Sequence, residues 1–337
     1  MSNTESLYKL SEITKTIIDK ELDFLKLKTG IEDLKILFEA VSRIDSQDLS
    51  YDENIFLKSG KAIGPKWAGM CVDDFMRTKR FITGVYKAVK NVLAKKKNTP
   101  VCILYAGTGP FATLVMPLIT LFKPSELQFI LLEVNPNSIK SLKNTIDSFQ
   151  ANEYVKEIHQ CDATTFQISN PKEVDIVLIE CMQHALLREP QVEISYNLLH
   201  QLDENVILIP EEISLHIALI NSKKRDKYLK ELNNERLLDY YENSEAVFIL
   251  NKEEILKNSP SNFPKVKTLF SEEKIKQFDT LAITTEIKVF DEEKLTINDS
   301  GLTIPLILEV LSDLKIKGIE TQYLIGQQPG LETTIIR

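Results

Sequence analysis

Two glutamates, Glu180 and Glu189, stand nine residues apart in the stretch Glu180-Cys181-Met182-Gln183-His184-Ala185-Leu186-Leu187-Arg188-Glu189, directly after the apolar run Val174 to Ile179. Carboxylates that converge at the end of a strand can grip a planar cation. A guanidinium keeps its charge at neutral pH and presents five N–H donors in a fork that two carboxylates match. Held that way, one terminal nitrogen turns toward an electrophile while positive charge is drawn onto the other, and the attacking nitrogen gains lone-pair character. Most glutamates are simply solvated, so the neighbouring motifs decide. One is a glycine turn, Tyr105-Ala106-Gly107-Thr108-Gly109-Pro110-Phe111-Ala112, in which Gly107, Gly109 and Ala112 satisfy GxGxxA. Small residues there let a ligand approach backbone N–H groups at the start of a following helix. Another is Glu133, which closes the apolar run Phe129 to Leu132 and could accept the hydroxyl pair of a ribose, in a nicotinamide dinucleotide or in S-adenosylmethionine (SAM).

The elements that must hold these residues are legible from apolar spacing. Short apolar runs at Val101–Tyr105, Phe129–Leu132, Val174–Ile179 and Val206–Ile209 alternate with helical segments, one after Gly109 and one over about Pro136 to Ala151. Strands buried on both faces and alternating with helices predict a doubly wound α/β sheet over residues 98–212. Ahead of it, Leu7, Leu10, Ile13, Ile17, Leu22 and Leu25, then Ile31, Leu34, Phe38 and Val41, recur at helical intervals around Thr29-Gly30. That spacing predicts a helical hairpin within residues 1–50. Residues 50–66 read as loop and Trp67 to Lys97 as helix, so that 51–97 covers the site. Beyond residue 212 the pattern becomes β-rich, with Ser214–Leu219, Leu281–Val289, Thr303–Glu309 and Thr333–Ile336 as strands, and the charged stretch 227–257 reads as a helical insertion.

Composition bounds the class. The chain has 337 residues with 41 basic and 49 acidic side chains, a formal charge of −8, which disfavours a nucleic-acid partner and favours small cationic ones. Cys71, Cys102, Cys161 and Cys181 are scattered singly, without Cys/His ligand spacing, so neither a disulfide scaffold nor a metal site is expected. Met1 to Ser6 lacks the pattern of a secretory signal, and the apolar stretch Leu114–Phe122 is about half the ~20 residues of a membrane span. A soluble, cytoplasmic protein without membrane partners is the expectation.

Taken together these motifs resemble the protein arginine methyltransferases, class I SAM-dependent enzymes with a glutamate pair at this separation and this point of the fold. The resemblance rests also on Asp73-Asp74-Phe75-Met76-Arg77-Thr78, on Val174-Asp175-Ile176-Val177-Leu178-Ile179-Glu180 and on Val206-Ile207-Leu208-Ile209-Pro210-Glu211. It implies a Rossmann-like sheet, an N-terminal helical region and a C-terminal β-barrel-like domain. It further implies SAM as cofactor, Arg77 on the SAM carboxylate, Asp162 near the adenine amino group, Gly107, Gly109 and Glu133 around the cofactor, and Glu180 and Glu189 as catalytic residues. The family's dimerisation arm falls at the insertion, so a homodimer is expected through that segment or through the hairpin.

The chain also departs from the family. Tyr105 and Phe111 replace the usual acidic residue and third glycine, although Ala106-Gly107-Thr108-Gly109-Pro110 resembles a variant turn of one branch. No Thr-His-Trp segment, which encloses the target arginine in protein-modifying members, occurs in the C-terminal part. Ile325-Gly326-Gln327-Gln328-Pro329-Gly330-Leu331-Glu332 is the expected replacement, with Gln327 and Gln328 on substrate. His184 is a candidate proton acceptor or substrate contact, Met182 a neighbour of the sulfonium and Trp67 a wall of the site; ordinary packing is the alternative for each. The leading reading is a guanidinium N-methyltransferase acting on free L-arginine or a close derivative, as in a bacterial branch serving nitrosourea biosynthesis. Arginine within a protein or peptide is the alternative substrate, and a nicotinamide oxidoreductase or a non-catalytic assembly partner the alternative roles.

Overall fold

The computed structural model describes residues 2–44, 48–96, 99–230, 239–260, 263–311 and 316–337. Helices α1 (Asn3–Ile17) and α2 (Phe24–Ser42) form the expected hairpin, but its break lies at residues 18–23 rather than at Thr29-Gly30. Asp23 starts α2 by accepting hydrogen bonds from the Leu25 and Lys26 N–H groups, a cap that satisfies otherwise orphaned donors. Gly30 instead lets the helices approach: a Cβ there would lie 3.2 Å from Thr16 Cγ2. Leu22 and Leu25, expected in the apolar face, are exposed because they fall in and just after the break. The rest of the stripe packs on the molecule's own sheet domain, where Phe38 stacks on Phe111 at 5.2 Å and meets Phe149 edge-on. Lys79, buried, donates from Nζ to the Ile17 and Asp19 carbonyls at 2.7 Å and so closes the end of α1.

Residues 50–66 are not merely loop. They contain a small hairpin, β1 (Ile55–Leu57) and β2 (Gly60–Ala62). The single helix expected over 67–97 is two, α3 (Pro65–Met70) and α4 (Phe75–Leu93), separated by a tight turn; Asp74 caps α4 through the Arg77 N–H at 3.1 Å. Lys97 lies outside the described residues. The sheet follows with β3 (Val101–Ala106), β4 (Leu127–Glu133), α5 (Pro136–Ser148), β5 (Val155–Gln160), β6 (Ile176–Ile179), α6 (Gln191–Leu199) and β7 (Ile207–Ile209). Strand order is β5-β4-β3-β6-β7, parallel throughout. Every residue of β3 is buried, as a strand covered on both faces requires. The helix expected after Gly109 is absent. Pro110 and Pro117 supply no N–H, Ala112 adopts φ +46°, and the chain reaches β4 through turns and a 3₁₀ segment, Met116–Thr120.

The C-terminal part holds β8 (Glu212–Ile220), α7 (Ser222–Lys230), β9 (Tyr241–Asn251), α8 (Lys252–Lys257), β10 (Val266–Leu269), α9 (Glu272–Ile275), β11 (Thr280–Phe290), β12 (Glu293–Leu295), β13 (Leu306–Val310), β14 (Gly318–Leu324) and β15 (Gly330–Ile336). Two antiparallel sheets result: β12-β11-β8-β9, with β13 also on β11, and β10-β14-β15. The insertion expected at 227–257 is therefore corrected. Residues 241–251 are a core strand paired along β8, burying Val247, Phe248 and Leu250, and their polar first half conceals this in sequence. Residues 231–238 of that stretch lie outside the described residues. No helix among the described residues is long and apolar enough to cross a membrane.

Helix α4 joins the two parts. Gly84 lies against β11, where a Cβ would come within 2.7 Å of Val289 Cγ1. Buried Glu293 accepts from Arg80 Nη1 at 2.8 Å and Lys87 Nζ at 2.5 Å, so the acidic end of the β11–β12 hairpin is neutralised by α4. At the start of the helix, Asp74 Oδ2 accepts from Ser300 Oγ (2.6 Å) and the Gly301 N–H (2.7 Å).

Candidate active site

The carboxyl ends of the parallel strands open into a cavity of about 570 Å³, where the chain leaves β3 toward β4 on one side and β6 toward β7 on the other. Open α/β sheets bind ligands at such a switch point. Gly107, Gly109, Glu133, Asp162, Glu180, Glu189 and Arg77 all line it, drawn together from β3, β4, β5, β6 and α4. Gly107 (φ +83°) lets the strand ends approach: a Cβ would stand 2.3 Å from Cys181 Sγ and 2.9 Å from the Glu180 carbonyl oxygen. Only glycine tolerates both that conformation and that contact. Gly109, at φ +58°, turns its N–H onto Glu133 Oε2 at 2.8 Å, while Glu133 Oε1 accepts from the Asn135 N–H at 2.8 Å. Burial pushes the Glu133 carboxyl up, against those backbone donors. Asp162 Oδ1 accepts from the Thr164 N–H and hydroxyl.

With no α-helix behind the glycine turn, the N–H groups that would cradle a pyrophosphate are missing. The GxGxxA spacing thus lacks the helix of a dinucleotide fingerprint, and the Gly109 N–H serves the Glu133 carboxylate.

The segment from Glu180 to Glu189 is held under backbone strain. Ala185, Leu186 and Arg188 adopt φ values of +55°, +51° and +65°, which non-glycine residues keep only when their surroundings over-determine them. The restraints are identifiable. Gln191 Oε1 accepts from the Cys181 N–H, the Ala185 N–H donates to Thr285 Oγ1 on β11, and the Tyr323 hydroxyl donates to the Leu186 carbonyl from β14. The Arg188 N–H donates to the Pro329 carbonyl, and the Arg188 carbonyl accepts from the Lys61 N–H at 2.8 Å. Five parts of the fold thus converge on one loop.

Its two carboxylates differ in surroundings. Arg77 grips Glu180, Nε donating to Oε1 at 3.1 Å and Nη2 to Oε2, and Nη1 donates to the Cys71 carbonyl at 2.9 Å. Burial opposes the Arg77 charge, and the Glu180 carboxylate outweighs it, so the guanidinium is held ionised more firmly than usual. Glu189, 6% exposed, has no such partner. Burial, with the Glu180 charge added, pushes its carboxyl up to about 7. A carboxyl poised near neutral pH can take up or release a proton under ordinary conditions.

The remaining candidates divide. Met182 is buried and His184 half-buried on the cavity wall; burial and then the Arg188 charge lower the imidazole pKa, leaving it neutral. Trp67 also lines the wall and is half exposed. Gln327 and Gln328 are not brought to the cavity. The β14–β15 turn points both amides to solvent, because its inner side is occupied by Pro329, whose carbonyl holds Arg188. The C-terminal part reaches the cavity instead through Gly301 and Leu302, in the loop tied to Asp74. Ser300 and Thr303 form a reciprocal capping box there, and that spacing was the available signal for an ordered loop. Lys61 on β2 was likewise missed; Ser59-Gly60 beside it marked a turn, but nothing local tied that turn to the glutamates.

No protein-family model matches this chain, and no curated protein matches it in sequence. Solved structures do match in backbone. The crystal structure described as PRMT6-SAH superposes with a TM-score of 0.53 at 10% identity, covering 79% of this chain and 98% of that one. The Trypanosoma brucei PRMT1 enzyme-prozyme heterotetrameric complex with AdoHcy gives 0.51 at 12% identity, with 79% and 96% covered. At these identities the likeness is one of fold: a parallel central sheet followed by an antiparallel, β-rich C-terminal part.

Proposed function

We propose that the protein is a SAM-dependent N-methyltransferase acting on a guanidinium nitrogen, with free L-arginine or a close small derivative as substrate. The observation that carries this reading is Glu180 already seated on a guanidinium, that of Arg77, with the Glu189 carboxyl, bonded by the Gln183 amide and by no guanidinium, in the same cavity. The neighbouring folds were solved with SAH or AdoHcy, the demethylated form of SAM, which favours this cofactor.

The residues present fit that group. The Gly107 turn leaves room that a Cβ would fill, and the buried Glu133 carboxylate, held by backbone N–H groups, lines the same cavity with acceptor capacity left for a ribose hydroxyl. Arg77 has three of its five N–H donors engaged, so one on each terminal nitrogen is left for the carboxylate of SAM without releasing Glu180. Bound SAM supplies an electrophilic methyl group. Glu180 and Glu189 orient the substrate fork, and Glu189, once ionised, takes the N–H proton that the new methyl replaces, so substrate and product carry the same charge. Positioning and fixed charges account for the rate. We also read the protein as a homodimer, for which exposed Phe24, Leu25 and Ile36 on α2 are an apolar surface.

Incubation with SAM and, separately, free arginine, an arginine-rich peptide or lysine should give a mass gain of one CH₂ on free arginine alone. Methylation only of the peptide would replace the substrate, and no gain on any guanidine would defeat the reading. Gly107→Ala should weaken SAM binding by at least about 10-fold in calorimetry, since the clash displaces Cys181 and Glu180 together. Unchanged affinity would remove the glycine turn from the cofactor site.

A further inference from the structure

The charged groups lining the cavity pair off, with two exceptions. Asp74 accepts from the Arg77, Ser300 and Gly301 donors, Glu133 from two backbone N–H groups, Asp162 from Thr164, and Arg77 and Glu180 hold one another. The exceptions are Glu189, bonded by the neutral Gln183 amide and argued above to receive the guanidinium, and Lys61. The Lys61 ammonium has no hydrogen-bond or ion-pair partner among the described residues, although the side chain is half-buried on the cavity wall. Its position is not casual. The Lys61 N–H donates to the Arg188 carbonyl, one residue before Glu189. Gly60, at φ +135°, lets the hairpin press on that same carbonyl, which a Cβ would approach to 2.6 Å. The Lys61 charge is felt at Glu189, where it favours the ionised carboxylate.

A lysine ordered into a cleft gives up hydration and rotamer freedom, and an anion is what offsets both. Among the described residues no carboxylate bonds it, and Glu189, which feels its charge, is the one argued above to receive the guanidinium. We infer that Lys61 receives the α-carboxylate of the substrate, making this a site for a zwitterionic guanidino acid: cationic fork on Glu180 and Glu189, anionic end on the β2 hairpin. The inference deepens the guanidinium reading and rests on it. It also states the basis of discrimination, because arginine inside a peptide presents a neutral amide where the carboxylate would be and leaves Lys61 unpaired.

The test compares L-arginine, its decarboxylated analogue agmatine and Nα-acetyl-L-arginine amide as substrates of wild type, Lys61→Met and Lys61→Arg. Wild type should prefer L-arginine to both analogues by about 10–100-fold in kcat/KM, the worth of one charged hydrogen bond. Lys61→Met should bring the three substrates level by raising the KM for L-arginine far more than for the other two, with the KM for SAM unchanged, and Lys61→Arg should restore most of the preference. Equal losses on arginine and agmatine, or a raised KM for SAM, would overturn the assignment, the second by moving Lys61 to the cofactor. Wild type that methylates agmatine or the amide as well as arginine would overturn it while leaving guanidinium methylation standing. Wild type that methylates none of the three and no peptide would bring down both.

Discussion

Glu180→Gln should lower kcat by roughly 10³-fold, the scale on which a preorganised charged contact to the reacting group acts. The side chains of Glu180 and Arg77 are 8% and 10% exposed and bonded in a fork. Removing the carboxylate charge leaves the Arg77 guanidinium buried without its counter-ion, which costs about 3–5 kcal/mol. Turnover and stability should therefore fall together, read by single-turnover methylation and by urea unfolding. SAM affinity measured on the folded fraction should change by less than the turnover, since Gly107 and Glu133 are untouched. Near wild-type turnover would take Glu180 out of the mechanism. Loss of turnover with unchanged stability would mean that Arg77 finds another partner when Glu180 is gone.

Glu189→Gln should divide these two effects. Turnover falls, because the amide neither attracts the guanidinium as strongly nor takes its proton, yet the protein becomes more stable above neutral pH. The sign follows from the raised carboxyl. The folded state holds the proton up to about pH 7, whereas an unfolded chain releases it near the ordinary glutamate value of 4.5. Between those values the folded state binds more protons, so wild-type stability declines as pH rises through this window, and above it the full penalty of about 3 kcal/mol applies. The glutamine variant has no charge to bury. It should match wild type near pH 4.5 and exceed it at pH 8 in urea unfolding. In wild type, kcat/KM should rise with pH through about 7 as Glu189 ionises. No stability gain at pH 8 would show that the carboxylate is solvated in the folded state and that its positioning needs another account.

Glu189 thus carries a buried charge that folding alone would not select, and the positive φ values at Ala185, Leu186 and Arg188 lie in the same loop. Both are tolerated because anchors from β11, β14, the β14–β15 turn and the β1–β2 hairpin hold the loop.

Those anchors mark the limit of what sequence alone conveyed. The parallel strands were legible because both of their faces are buried, so a run of apolar residues between turn formers has few other uses. Glu133, Glu180 and Glu189 were legible because a chemical group at the end of a strand keeps its place relative to that strand, and the strands were already ordered by their alternation. Helix ends were harder. Gly30 looks like a break in one dimension and is a contact with Thr16 in three, while Pro110, Pro117 and Ala112 dissolve the helix expected after the glycine turn. Strand β9 hid behind its polar first half until its pairing with β8 placed Val247, Phe248 and Leu250 inside. Lys61, Gly301 and Leu302 reach the cavity from far along the chain, and the expected amides of Gln327 and Gln328 turn away from it. Local chemistry and period are properties of neighbours in sequence. Which distant side chains share a cavity is decided by how sheets, turns and α4 pack, since that packing sets register and direction, and no spacing along the chain encodes it.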